Sequence, residues 1–69
     1  MVGLQGRVTG RIGPGVVGEV MVRVRGGAEA FMAYAFEAGV QLPVGAIVVV
    51  MEYHAPRTVY VSPDRKSVV

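Results

Sequence analysis

Five short apolar runs, each cut off by glycine or proline, limit what this chain can fold into more than any other feature. The last two are the clearest. Leu42-Pro43-Val44-Gly45 leads into Ala46-Ile47-Val48-Val49-Val50-Met51, and His54-Ala55-Pro56-Arg57 leads into Thr58-Val59-Tyr60-Val61-Ser62-Pro63. β-Branched residues held between breakers read as strands rather than helices. Runs this short and this evenly spaced predict a small closed all-β domain. The 69 residues make one domain with a thin core.

Composition removes several classes of function. There is no cysteine, which excludes disulfides and thiolate metal sites and suits a reducing compartment. Hydrophobic residues make up 52% of the chain, so it is globular rather than disordered. The net charge of +2 hints at an acidic partner but falls short of a nucleic-acid-binding tail. The longest apolar stretch, Val44 to Met51, is far below the roughly 18 residues a membrane helix needs. Met1-Val2-Gly3-Leu4 lacks the hydrophobic core of a signal peptide. The expectation is a soluble domain, either whole or part of a longer membrane protein, cytoplasmic or at a membrane surface.

The first run, Gln5 to Ile12, has the period of two of a half-buried strand. Val8 and Ile12 face one side around Gly10, and Arg7, Thr9 and Arg11 face the other. Gly13-Pro14-Gly15 then makes a turn; it lacks the Lys-Ser/Thr ending of a phosphate loop. In the second run, Val16 to Arg25, Val20, Val22 and Val24 alternate with Met21, Arg23 and Arg25. Gly26-Gly27 follows as a hairpin signal, so runs one to three should form an antiparallel meander. Run three, Ala28 to Glu37, is divided by propensity between helix and strand; the hairpin signal before it tips the reading toward strand. The fourth run is almost continuously apolar and reads as a central strand covered on both faces. The tail, residues 64–69, is expected to fray.

No catalytic constellation accompanies these strands. His54 is the single histidine. Glu52, two residues away, shares its strand face, but the two make only a pair, short of a metal site or a general base with its orienting partner. Glu19, Glu29, Glu37 and Asp64 have no paired spacing, and Ser62 and Ser67 have no base in context. No enzyme activity, metal, cofactor or small-molecule substrate is expected. The arginines offer more. Arg7 and Arg11 on the first strand and Arg23 and Arg25 on the second would merge into a basic stripe. Beside aromatic residues such as Phe31 and Tyr34, a stripe of this kind on a small barrel can bind single-stranded nucleic acid, although alternation puts those two rings on opposite faces. A solvated strand face is the plainer account of the stripe taken alone.

Laid out in this order, the chain resembles the C-terminal domain of NfeD-like proteins. The matching stretches are Gly6-Arg7-Val8-Thr9-Gly10, Gly18-Glu19-Val20, Phe31-Met32-Ala33-Tyr34-Ala35, Leu42-Pro43-Val44-Gly45 with Val48 and Val50, and Val59-Tyr60-Val61-Ser62-Pro63. The resemblance implies a five-stranded OB-type β-barrel over residues 4–63. The short connector Ala38–Gly45 would replace the helix that OB folds carry between strands three and four. It also implies a structural set of Gly6, Gly18, Gly45, Val48, Val50, Val59 and Val61.

The family's domains usually follow transmembrane helices, and longer members add a serine protease domain. Neither segment has a counterpart in the matching stretches, so no catalytic residue carries over. The usual partners are membrane proteins of the stomatin, prohibitin or flotillin type. A non-enzymatic interaction module acting with such a partner is the resulting expectation. Met21, Arg23, Arg25 and Phe31 are its expected outward contact residues. Single-stranded nucleic-acid binding and self-association are the alternatives.

Overall fold

The computed structural model describes residues 2–64. Its regular elements are β1 (Gln5–Gly10), β2 (Gly18–Val24), β3 (Gly27–Ala35), β4 (Ile47–His54) and β5 (Thr58–Pro63). No helix among the described residues is long and apolar enough to cross a membrane. The expected fraying of the tail falls, beyond Asp64, outside the described residues. Asp64 itself donates its backbone N–H to the Ile47 carbonyl at 3.1 Å.

The strands close into a barrel in the order β1-β2-β3-β5-β4. β1, β2 and β3 form the antiparallel meander that the alternating valines and the glycine hairpin call for. β3 then pairs in parallel with β5, from Met32↔Thr58 to Ala35↔Val61. β4 pairs antiparallel with β5 and returns to β1 through Gln5↔Val49, Gly6↔Val48 and Arg7↔Ile47. This is the five-stranded Greek-key order of the OB fold.

Closure gives every strand an inner and an outer face, and sequence parity decides which residues go in. Val8, Val20, Val22, Val48, Val50, Val59 and Val61 are fully buried, joined by Ile12, Phe31, Ala33 and Leu42. Burying each such valine is worth roughly 1.5–3 kcal/mol. No polar or charged residue is buried among the described residues. Leu42 reaches the core from the connector, where it exchanges backbone hydrogen bonds with Ile12 at 2.8 and 3.0 Å.

β3 is a strand, as the hairpin signal before it suggests, its divided propensity settled by pairing on both sides. The structure corrects three local expectations. β4 is not covered on both faces, because the outside of a closed barrel faces water; Ile47 and Met51 are each 39% exposed. β1 stops at Gly10: the register moves from Val8↔Val20 to Gly10↔Glu19, leaving Thr9 bulged and Arg11 beyond the strand. The β2–β3 turn is centred on Arg25 and Gly26, one residue earlier than expected, since Gly27 already pairs with Val24. Gly26 supplies the positive φ of +79° that this turn requires.

Gly18 marks the closest approach in the fold. A Cβ there would strike the Ile12 side chain and lie 2.5 Å and 2.7 Å from the carbonyl oxygens of Gly10 and Arg11. Backbone cannot yield as a flexible side chain can. Gly18→Ala should therefore destabilise the domain by about 3 kcal/mol in urea unfolding. Gly27→Ala, with nothing within 4 Å of the new carbon, should stay within about 0.5 kcal/mol of wild type.

Candidate interaction surface

With an apolar interior, all the chemistry of the described residues lies on the outside. Strand register lays that outer surface out in rows. Arg7 stands between Ile47 on β4 and Met21 on β2, and Met21 stands beside Ala30 on β3. The next row holds Val49 and Gln5, then Arg23 and Ala28. Arg7, Met21 and Arg23, with Gln5, Gly6, Ala28 and Ile47, line an open groove of about 600 Å³. Gly6 forms part of its floor. A Cβ there would meet the Met21 carbonyl oxygen at 3.1 Å and Val22 Cγ2 at 3.2 Å. Among the described residues, neither Arg7 nor Arg23 is in an ion pair.

The four expected contact residues therefore separate. Met21 and Arg23 line the groove. Arg25 is exposed in the β2–β3 turn rather than on the outward face of β2. Phe31 is corrected outright: it pairs with Val20, faces the interior and is only 4% exposed. Alternation explains this, because Ala30, Met32 and Tyr34 take the outer positions of β3. The expected stripe of four arginines also breaks up, since Arg11 lies past the end of β1 and Arg25 sits in the turn. Within the implied structural set, Val48, Val50, Val59 and Val61 are fully buried, Gly6 and Gly18 are buried, and Gly45 lies in the turn before β4.

A second outward cluster spans β3, β5 and β4. Tyr34 and Tyr60 are register partners whose rings stack with centroids 5.3 Å apart. His54 meets Tyr60 edge-on at 5.2 Å, and its Nε2 lies 3.0 Å from Glu52 Oε1. The expected Glu52–His54 pair is thus formed. Both side chains are more than half exposed, and among the described residues no His, Cys, Asp or Glu group of three or more could hold a metal.

Residue patterns gave no sign of Arg57. Its Nη1 donates to the Ala30 carbonyl at 3.2 Å and lies 3.5 Å from Glu29 Oε1. Its guanidinium stands 5.7 Å from the centre of the Phe31 ring. Tyr53 meets Phe31 edge-on at 6.3 Å and donates its hydroxyl to the Pro56 carbonyl at 2.9 Å. Arg57 and Tyr53 together cover Phe31 at one end of the barrel.

A family model described as the NfeD C-terminal domain matches residues 5–62. Among solved structures, the chain is similar to the soluble domain of the NfeD protein YuaF from Bacillus subtilis. The TM-score is 0.73 at 27% identity, over 88% of this chain and 70% of that one. No curated protein matches the chain.

The burial of Phe31 has a measurable consequence. Phe31→Ala should cost about 3–5 kcal/mol in chemical denaturation, a core defect rather than the near-neutral change of a surface contact residue.

Proposed function

Because this chain belongs to the NfeD C-terminal domain family, we propose that its barrel is a non-enzymatic interaction module that docks a stomatin-, prohibitin- or flotillin-type membrane protein at the membrane surface. The observation that carries this reading is the groove across β1 and β2. There Arg7 stands between the aliphatic side chains of Ile47 and Met21 with Arg23 beside them, and neither arginine is in an ion pair among the described residues. Charged arms beside an apolar strip suit a protein partner: the strip supplies buried area and the arginines supply register. The interior supports a scaffold role, because its buried side chains are all apolar among the described residues. The cysteine-free sequence suits the cytoplasmic side of a membrane.

Docking through side chains fits this barrel better than strand addition, since closure leaves little free edge for a new strand. Single-strand binding has less support. It needs exposed rings on which successive bases stack, whereas Phe31 is buried and Tyr34 and Tyr60 stack on each other.

Charge reversal at the outer face tests the reading. A tagged domain should recover a stomatin-type protein from detergent-solubilised membranes with or without nuclease treatment. The Arg23→Glu/Arg25→Glu double variant should lose that recovery while its stability shifts by no more than about 0.5 kcal/mol per site. Unchanged recovery by the double variant would remove these residues from the docking face. Recovery that nuclease abolishes would transfer the function to nucleic acid.

A further inference from the structure

The groove also has a charge pattern that selects among protein partners. Ile47 and Met21 flank Arg7, each one strand spacing of about 4.8 Å away. Arg23, two residues beyond Met21 on β2, is the diagonal neighbour of Arg7, at roughly 7–8 Å. Two arginines rooted this close on one strand face, neither in an ion pair among the described residues, can both reach a single carboxylate. The acidic side chains on the strands are engaged elsewhere. Glu29 pairs with Arg57, Glu52 with His54, and Glu19 accepts a hydrogen bond from the Thr9 hydroxyl at 2.8 Å.

One carboxylate of the chain itself already lies at this surface. Asp64 arrives at the Ile47 end of the groove, where Gln5 Nε2 donates to its Oδ2 at 2.6 Å. The remaining walls are aliphatic or small, with Met21, Ile47 and Ala28 in place of aromatic rings. Nucleic-acid bases would find no aromatic ring to stack on there, whereas aliphatic side chains would find an apolar seat.

We infer that the groove takes an extended acidic segment of the partner, with a carboxylate held between Arg7 and Arg23 and aliphatic side chains resting on Met21 and Ile47. This inference rests on the reading of the β1–β2 face as the docking surface. It adds the chemistry of the bound segment and makes Arg7, outside the expected contact set, a binding residue.

The test uses a fluorescein-labelled peptide of alternating glutamate and leucine with serine at both ends, its glutamine-for-glutamate twin, and an oligothymidylate. Binding is followed by anisotropy and by amide chemical-shift changes in the isotope-labelled domain. The glutamate peptide should bind saturably and shift the amides of Arg7, Met21, Arg23 and Ile47. Its affinity should fall as salt is added. Arg7→Glu should weaken it about tenfold or more, and Arg7→Lys much less. Absence of binding, equal binding of the glutamine twin, shifts centred on Tyr34 and Tyr60, or tighter binding of the oligothymidylate in the groove would each overturn the inference.

The same variants in the membrane recovery experiment separate this inference from the docking reading. Recovery that depends on Arg23 while the glutamate peptide fails to bind discards the acidic segment and keeps the docking face. A peptide bound in the groove while recovery ignores both arginines keeps the acidic segment and discards the docking face.

Discussion

The parallel pairing of β3 with β5 is the contact on which the rest of the structure depends. It joins Met32–Ala35 to Thr58–Val61 across the whole connector and β4. Backbone bonds from Met32 N–H to the Arg57 carbonyl and from Phe36 N–H to the Val61 carbonyl extend it at either end, at 2.9 and 2.8 Å. Without this pairing the strands would form one open sheet in the order β3-β2-β1-β4-β5, joined through β1 and β4, with its apolar face in water. With it, the two edges of that sheet meet and the sheet has an inside.

That inside is narrow, and its composition follows from its width. Valines fill most of it because a β-branched side chain of modest volume suits an extended backbone and a small barrel. Gly18 is required where the chain between β1 and β2 crosses closest. A filled, apolar interior leaves the outer face to carry specificity. Side chains held on paired strands keep their spacing better than side chains on loops, which favours Arg7, Met21 and Arg23 over the exposed turn residue Arg25 as fixed points for a partner.

Much of the fold was legible in the residues because it depends on local signals. β5 runs Thr58–Pro63, as expected, starting after the turn at Pro56 and ending at Pro63. The alternating valines of β2 read directly as an inner face. Misreadings arose where a local pattern has two structural meanings. A continuous apolar run is written both by a strand covered on two faces and by a barrel strand with a partly exposed outer face, and β4 is the second kind. A glycine pair marks a hairpin without saying which residues lie at its centre, and that single step moved Arg25 off the strand face. Phe31 was misplaced as a contact although the parity of Ala30, Met32 and Tyr34 already points it inward. The stack of Tyr34 on Tyr60 and the reach of Arg57 to Ala30 could not be read at all, because both follow from a parallel closure between segments far apart in sequence.

The proposed docking mode requires that the β1–β2 face, and not the aromatic cluster on β3 and β5, meets the partner. Hydrogen–deuterium exchange of the domain with and without a bound stomatin-type protein distinguishes the two faces. The expected result is slowed exchange confined to β1, β2 and the start of β4, around Arg7, Met21, Arg23 and Ile47. Protection centred on Tyr34, Tyr60 and His54, with the β1–β2 face unchanged, would contradict it.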